Sequence, residues 1–83
     1  MSMYTIITKD NCSFCDMAKI MLKEINQGYR EYNVQSGNSE WVLTLLRQAQ
    51  HNTVPQIFAT DGTYIGGYAE LKNFMQTFQE GYI

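Results

Sequence analysis

The sequence is poor in the residues that bind metal ions or build disulfide frameworks. It contains two cysteines, Cys12 and Cys15, and a single histidine, His51. A structural zinc site uses four such ligands, and small secreted domains carry four, six or eight cysteines. The composition therefore disfavours both classes, and we expect no metal-binding residues.

A charge excess of one sign and long apolar runs are also missing. The net charge is −2, which argues against a nucleic-acid-binding surface and against a polybasic membrane contact. No run of consecutive apolar residues is longer than three, whereas a membrane span needs about 20. The first nine residues do not have the pattern of a secretory signal. We therefore expect a cytoplasmic protein with no nucleic-acid or membrane partner.

Eighty-three residues give room for one domain, over 1–83. Apolar periodicity and turn residues predict seven elements in the order β-α-β-α-β-β-α. The predicted strands cover 4–8, 29–34, 56–59 and 63–65, and the predicted helices cover 13–26, 40–50 and 69–79. The first strand-helix-strand unit implies a parallel pair, and the Asp61-Gly62 turn implies an antiparallel hairpin. The predicted class is α/β, a four-stranded mixed sheet flanked by three helices.

The helix ends and faces carry more detailed predictions. Gly28 is expected to end the first helix in a left-handed conformation, and both Asp61 and Gly62 tolerate a positive φ. His51 is expected to be a solvated residue at the end of the second helix. The predicted apolar faces are Val42, Leu45, Leu46 and Ala49 on the second helix and Leu71, Phe74, Met75 and Phe78 on the third. Met17, Met21 and Met75 are expected to fill the core, and Trp41 is expected to pack at the start of the second helix.

The two cysteines have the spacing and the position of a redox pair. Cys12 falls just before or in the first turn of the first helix, and Cys15 lies one turn later. Side chains three apart on a helix have Cβ atoms about 5–6 Å apart, and a disulfide needs about 3.5–4.5 Å, so slight loosening of that turn allows a bond. The helix N-terminus favours a thiolate at Cys12. Lys9 would add to that effect, and Asp10 and Asp16 would oppose it.

Two other interpretations of the pair remain open. Both cysteines could be inert apolar filler, or they could bind a metal ion together with ligands from elsewhere. A C-x-x-C motif at a strand-to-helix junction in this topology instead favours redox chemistry. On that reading Cys12 is the nucleophile, and Cys15, which points to the core, resolves the intermediate.

Three segments together resemble the glutaredoxins: Cys12-Ser13-Phe14-Cys15, Thr53-Val54-Pro55-Gln56-Ile57-Phe58 and Ile65-Gly66-Gly67-Tyr68. The resemblance extends over nearly the whole chain. It implies a thioredoxin fold and a glutathione-dependent enzyme that reduces protein disulfides and glutathione mixed disulfides. Some members of the family donate electrons to ribonucleotide reductase. The resemblance also implies a monomer that needs no cofactor beyond glutathione as co-substrate.

The resemblance also assigns residues to a substrate site. Pro55 is expected in the cis form, with the backbone of Val54 pairing with the substrate as an added strand. Gly66 and Gly67 are expected to let substrate approach the backbone. The start of the third helix is expected to bind the γ-glutamyl carboxylate, and Lys9 the other carboxylate. The full predicted set is Lys9, Phe14, Thr53, Val54, Pro55, Gly67, Tyr68, Ala69 and Glu70.

The chain departs from the family pattern at two positions. Ser13 replaces the usual proline after the first cysteine, which keeps open an alternative role as carrier of a [2Fe–2S] cluster between two subunits. Ala69 replaces a short polar residue that holds the γ-glutamyl group, and Glu70 is expected to compensate. A second alternative is a dithiol donor recycled by thioredoxin reductase instead of glutathione.

Overall fold

The computed structural model describes the backbone of residues 3–80 and the side chains of residues 3–76. The elements follow the predicted order. They are β1 (Tyr4–Thr8), α1 (Ser13–Glu24), β2 (Tyr29–Asn33), α2 (Glu40–Gln48), β3 (Gln56–Phe58), β4 (Tyr64–Gly66) and α3 (Tyr68–Glu80). In this described part of the chain, no helix is both long enough and apolar enough to span a membrane.

The four strands form one mixed sheet in the order β2-β1-β3-β4. β1 runs parallel to β2, with Tyr4 opposite Tyr29 and Thr8 opposite Asn33. β3 is antiparallel to both β1 and β4. The predicted fold class is therefore confirmed, including the parallel first pair and the antiparallel hairpin.

Successive residues of β1 face opposite sides of the sheet, and each side has its own apolar cluster. One cluster lies under α1 and α3 and contains Tyr4, Ile6, Ala18, Leu22, Ile57, Leu71 and Met75. The other lies under α2 and contains Ile7, Val34, Val42 and Leu46. The sheet therefore separates a larger core beneath two helices from a smaller one beneath a single short helix.

The first helix does not end as predicted. It stops at Glu24, and Asn26, not Gly28, adopts the left-handed conformation, with φ 59°. The N–H of Gln27 donates to the carbonyl of Leu22, and the N–H of Asn26 to that of Lys23, both at 3.0 Å. This is the Schellman arrangement, and it forms here because asparagine tolerates positive φ better than most residues.

The β3–β4 hairpin is present, but only one of its turn residues has a positive φ. Gly62 has φ 89°, and its N–H donates to the carbonyl of Ala59 at 2.9 Å. Asp61 instead accepts a hydrogen bond from the N–H of Thr63 at 2.9 Å. The bonds from Thr63 hold the pKa of this exposed carboxyl below its usual value.

The apolar faces of α2 and α3 are narrower than predicted. Val42 and Leu46 of α2 are buried, but Leu45 is 55% exposed and Ala49 is also exposed. Phe74 of α3 is exposed as well, whereas Leu71 and Met75 are buried; Phe78 lies outside the described side chains. On each helix the buried residues of the predicted face are thus four positions apart, and the residue three positions after the first of them is exposed.

Three further packing predictions have mixed outcomes. Met17 is exposed, so its assignment to the core was wrong. Trp41 is also exposed, so its predicted packing at the start of α2 is only partial. The indole N–H of Trp41 donates to the carbonyl of Asn38 at 3.0 Å, and its ring meets Tyr32 edge-on. Met21 does pack against the larger core. The exposed pair shows that large apolar residues at helical spacing are not sufficient evidence for burial.

Candidate active site

Cys12 and Cys15 are joined in a disulfide at the N-terminus of α1, with their Cα atoms 5.2 Å apart. Cys12 is the N-cap residue and has an extended backbone, with φ −124° and ψ 102°. Its Sγ accepts a hydrogen bond from the N–H of Cys15 at 3.2 Å. The sulfur of Cys12 thus occupies the position where a helix start stabilises negative charge.

The two sulfurs differ in accessibility. Cys15 is 1% exposed, whereas Cys12 is partly exposed. The Sγ of Cys12 lies 3.9 Å from the carbonyl oxygen of Val54. A disulfide approaching along this loop reaches Cys12 before Cys15, which fits the predicted division into nucleophile and resolving thiol.

The loop before Cys12 is held by the end of β2. The N–H of Asp10 donates to Oε1 of Gln35 at 2.6 Å, and Nδ2 of Asn33 donates to the Asp10 carboxylate at 2.9 Å. Asn11 follows with a positive φ of 53°. This contact was not predicted, although parallel pairing of β1 with β2 places their carboxyl ends side by side. The contact fixes the backbone that leads into the N-cap.

One groove beside the disulfide contains seven of the nine predicted substrate residues. We call it the α3 groove; it has a volume of about 220 Å³ and is lined by Phe14, Thr53, Val54, Pro55, Gly67, Tyr68 and Ala69. The Val54–Pro55 peptide bond is cis, as the resemblance implied. Phe14 is 59% exposed, and its ring lies 5.8 Å from that of Tyr68. The two rings form an apolar wall.

Lys9 lies in a different groove, which we call the basic groove. It has a volume of about 520 Å³. Its lining residues are Lys9, Val34, Gln35, Leu43, Leu46, Arg47, His51, Asn52, Thr53 and Val54. Thr53 and Val54 border both grooves, so the two grooves meet at this loop, and we call them together the cleft. Arg47 was not predicted; its place in the last turn of α2, close before the Thr53 loop, is the signal that could have found it.

Glu70 makes a different contact from the one expected. Its Oε1 accepts a hydrogen bond from the N–H of Gly67 at 2.7 Å, as the acidic residue of a capping box does, and the side chain does not line the α3 groove. A role for Glu70 in binding an ammonium group stays a prediction.

Gly66 has φ 127°, and an added Cβ would lie 2.8 Å from Cβ and from Cγ of Glu70. This glycine therefore makes room for Glu70 and not for substrate. Gly67 is the glycine of the pair that lines the groove.

His51 is less solvated than predicted. It is half-buried, and its ring stacks on that of Tyr64 with centroids 4.5 Å apart. Burial and the nearby charge of Glu70 raise the pKa of Tyr64 above its usual value.

Among the residues that the structure describes, no three His, Cys, Asp or Glu side chains are placed to hold a metal ion.

The comparisons with known proteins agree with this geometry. The glutaredoxin family model matches residues 4–65, from β1 into β4. The chain belongs to the glutaredoxin family. It is 33% identical over 66 residues to Glutaredoxin 3 of Escherichia coli strain K12, a match that covers 80% of this chain and 77% of that protein.

Other members of the family match over a smaller share of their length. The mitochondrial Glutaredoxin-2 of Rattus norvegicus is 34% identical over 67 residues, which cover 78% of this chain. Those residues are 42% of the rat protein, so this glutaredoxin spans about two fifths of that relative.

Solved structures of glutaredoxins share the fold. Glutaredoxin 1 from Francisella tularensis, crystallised with cacodylate, has a TM-score of 0.75 at 26% identity, over 96% of this chain and 99% of that one. A buckwheat glutaredoxin–glutathione complex has a TM-score of 0.74 at 22% identity, over 96% and 71%. The thioredoxin-like arrangement of sheet and helices is therefore the one found in glutaredoxins.

Proposed function

We propose that this glutaredoxin is a glutathione-dependent thiol–disulfide oxidoreductase that reduces protein disulfides and glutathione mixed disulfides. The observation that carries the proposal is the disulfide at the start of α1, with Cys12 accessible and Cys15 buried. A redox pair of this kind needs one thiol that meets the substrate and one that waits behind it. Cys12 and Cys15 fulfil these two requirements.

The reduced dithiol performs two exchanges. The Cys12 thiolate attacks one sulfur of the substrate disulfide, forms a mixed disulfide and expels the other sulfur as a thiolate, which takes up a proton. The Cys15 thiolate then attacks Cys12 Sγ, forms the intramolecular disulfide and releases the second substrate thiol. Two electrons pass from the dithiol to the substrate. Two glutathione molecules restore the dithiol and leave as glutathione disulfide.

The cleft offers complementary ends to a small peptide with two carboxylates. The Tyr68 and Ala69 N–H groups lie at the start of α3, before its first backbone bond, which the N–H of Leu71 donates to the Gly67 carbonyl at 2.9 Å. Such N–H groups bind carboxylates. Lys9 and Arg47 line the other end of the cleft. Glutathione has one carboxylate at each end and its thiol between them, so it fits with its sulfur at Cys12.

Backbone pairing at Val54 completes the binding mode. Val54 borders both grooves and its carbonyl lies beside the Cys12 sulfur. Its backbone can therefore pair with an extended peptide as an added strand. This pairing would serve glutathione and a protein substrate equally, since it uses no side chain of the substrate. A protein partner such as ribonucleotide reductase would bind through this contact.

The experiment that tests the proposal separates the two cysteines. Cys12→Ser removes the accessible nucleophile, and we expect it to abolish all exchange. Cys15→Ser should retain reduction of a glutathionylated protein, because a second glutathione can resolve that intermediate, and should lose most reduction of a protein disulfide. Equal loss in both variants on the glutathionylated substrate would contradict the assigned roles.

Reductant and cluster assays address the two alternatives. Faster recycling of the disulfide form by thioredoxin reductase than by glutathione would favour the dedicated-donor alternative.

The cluster-carrier alternative predicts a brown dimer in protein purified without oxygen, and it predicts that Ser13→Pro abolishes the colour. Ser13 is exposed at the first position of α1, so the substitution is compatible with the helix. Colourless monomer would exclude that alternative.

A further inference from the structure

Gln56 is a buried polar residue whose amide is fully used. It follows the cis proline at the start of β3 and is 4% exposed. Its Nε2 donates to the carbonyl of Thr53 at 2.7 Å and to the Thr53 hydroxyl at 3.3 Å. Its Oε1 accepts from the hydroxyl of Tyr64 at 2.5 Å. A buried amide is tolerated only when it is hydrogen-bonded in this way.

These bonds decide which backbone groups of the active-site loop remain available. The Thr53 carbonyl is committed to Gln56, while the Val54 carbonyl lies 3.9 Å from Cys12 Sγ. An extended peptide presents its N–H and C=O groups in a fixed alternation. A rotation of the Thr53–Val54 peptide plane would therefore change the register in which a substrate strand could pair beside the sulfur.

The amide is held from its other side by aromatic residues. Tyr64 of β4 fixes Oε1, and its ring packs against His51 and against Phe58 at centroid distances of 4.5 Å and 5.3 Å. The Tyr64 hydroxyl thus satisfies the acceptor of the amide. The donor contacts of Nε2 are both to Thr53.

We propose that Gln56 is a positioning residue that selects disulfides flanked by peptide backbone, by holding Thr53 and Val54 in the orientation that pairs with a substrate strand. The proposal rests on the backbone pairing at Val54 described under the proposed function. It gives Gln56 no part in the sulfur chemistry. The rate of exchange with a disulfide that lacks a peptide backbone should therefore not depend on Gln56.

The test compares two disulfides in single-turnover reactions of the reduced protein, so that no glutathione is needed. One is a disulfide-linked pair of short extended peptides, and the other is hydroxyethyl disulfide, which has no backbone to pair. Gln56→Glu, assayed at a pH where its carboxyl is ionised, keeps an acceptor for Tyr64 and removes the donor to Thr53. Tyr64→Phe is the matched control, because it removes the other bond of the same amide and leaves the donor in place.

We expect Gln56→Glu to slow the peptide disulfide by about three- to tenfold, the value of one net hydrogen bond. Its rate with hydroxyethyl disulfide should match that of the wild type, and Tyr64→Phe should change either rate less than about twofold. Circular dichroism confirms the native fold; if Gln56→Glu does not fold, Gln56→Met takes its place.

Several results would overturn the proposal. Equal slowing of both disulfides would show that Gln56 acts on the dithiol or on the fold in general. Slowing of neither, or an equal loss in Tyr64→Phe, would also refute it. A wild type that does not prefer the peptide disulfide would refute both this proposal and strand pairing at Val54, while leaving thiol–disulfide exchange by Cys12 intact.

Discussion

Replacing Gly66 by alanine tests how the end of β4 is joined to α3. Gly66 is buried, has φ 127°, and would place a Cβ 2.8 Å from Cβ and Cγ of Glu70. A non-glycine residue in such a backbone conformation costs about 1–3 kcal/mol. Overpacking adds about 1–3 kcal/mol, because Glu70 Cβ is fixed to the helix and cannot rotate away.

The two costs lower the expected free energy of unfolding of Gly66→Ala by about 2–6 kcal/mol. A domain of 83 residues has a free energy of unfolding of about 4–12 kcal/mol in total. A loss of one kcal/mol lowers the melting temperature of such a domain by about 4–8 °C, so the variant should melt at least about 8 °C below the wild type. Thermal and urea unfolding followed by circular dichroism measure both quantities.

Gly37→Ala is the control for this experiment. Gly37 has no atom within 4 Å of an added Cβ and has no positive φ. Alanine there should change the free energy of unfolding by less than about 0.5 kcal/mol. If Gly66→Ala melts within about 2 °C of Gly37→Ala, then neither the positive φ nor the contact with Glu70 destabilises alanine at position 66.

Two further predictions concern glutathione binding at the start of α3 and the ionisation of Tyr64. Ala69→Asp places an acceptor for the γ-glutamyl ammonium at the start of α3, so the KM for glutathione should fall severalfold with kcat nearly unchanged; steady-state kinetics that show no change would argue against γ-glutamyl binding there. Tyr64 should ionise above the ordinary tyrosine pKa of about 10, since burial and the charge of Glu70 raise its pKa. Because the pKa is higher in the folded state, the neutral Tyr64 side chain stabilises the fold fully below the unfolded pKa. This stabilisation is lost as pH rises through the folded pKa. Tyrosinate absorbance, compared between wild type and Tyr64→Phe, measures that ionisation, and a normal pKa would refute it.

The fold could be predicted because its signals are local. Cys15, Ala18 and Leu22 have helical spacing and are buried on one face of α1. The turn at Gly62 and the break before Pro55 separated the remaining elements correctly. Helix ends were less predictable, because asparagine and glutamine can take the place of glycine: Asn26 and Gln50 both have a positive φ.

The site could be predicted only where a motif or the resemblance named its residues. Seven of those residues line the α3 groove. Arg47 and Gln56 were missed because their importance depends on what lies opposite them in space. The contact of Glu70 with Gly67 was missed because the Glu70 carboxylate was expected to bind a ligand. A carboxylate in the first turn of a helix can instead accept a hydrogen bond from the backbone N–H at the helix start, and this contact competes with any ligand.

The unequal cores on the two sides of the sheet have a consequence for local opening. α2 has nine residues and buries only Val42 and Leu46, whereas α1 and α3 share the larger core. Helices with few buried apolar contacts exchange their amide hydrogens through sub-global fluctuations well below the free energy of global unfolding. α2 carries Arg47 and leads into the Thr53 loop, while the disulfide and the start of α3 belong to the better-packed half. We therefore expect the amide hydrogens of α2 to exchange faster than those of α1 and the start of α3, so that the Arg47 side of the cleft yields to a bulky protein substrate while the dithiol stays in place.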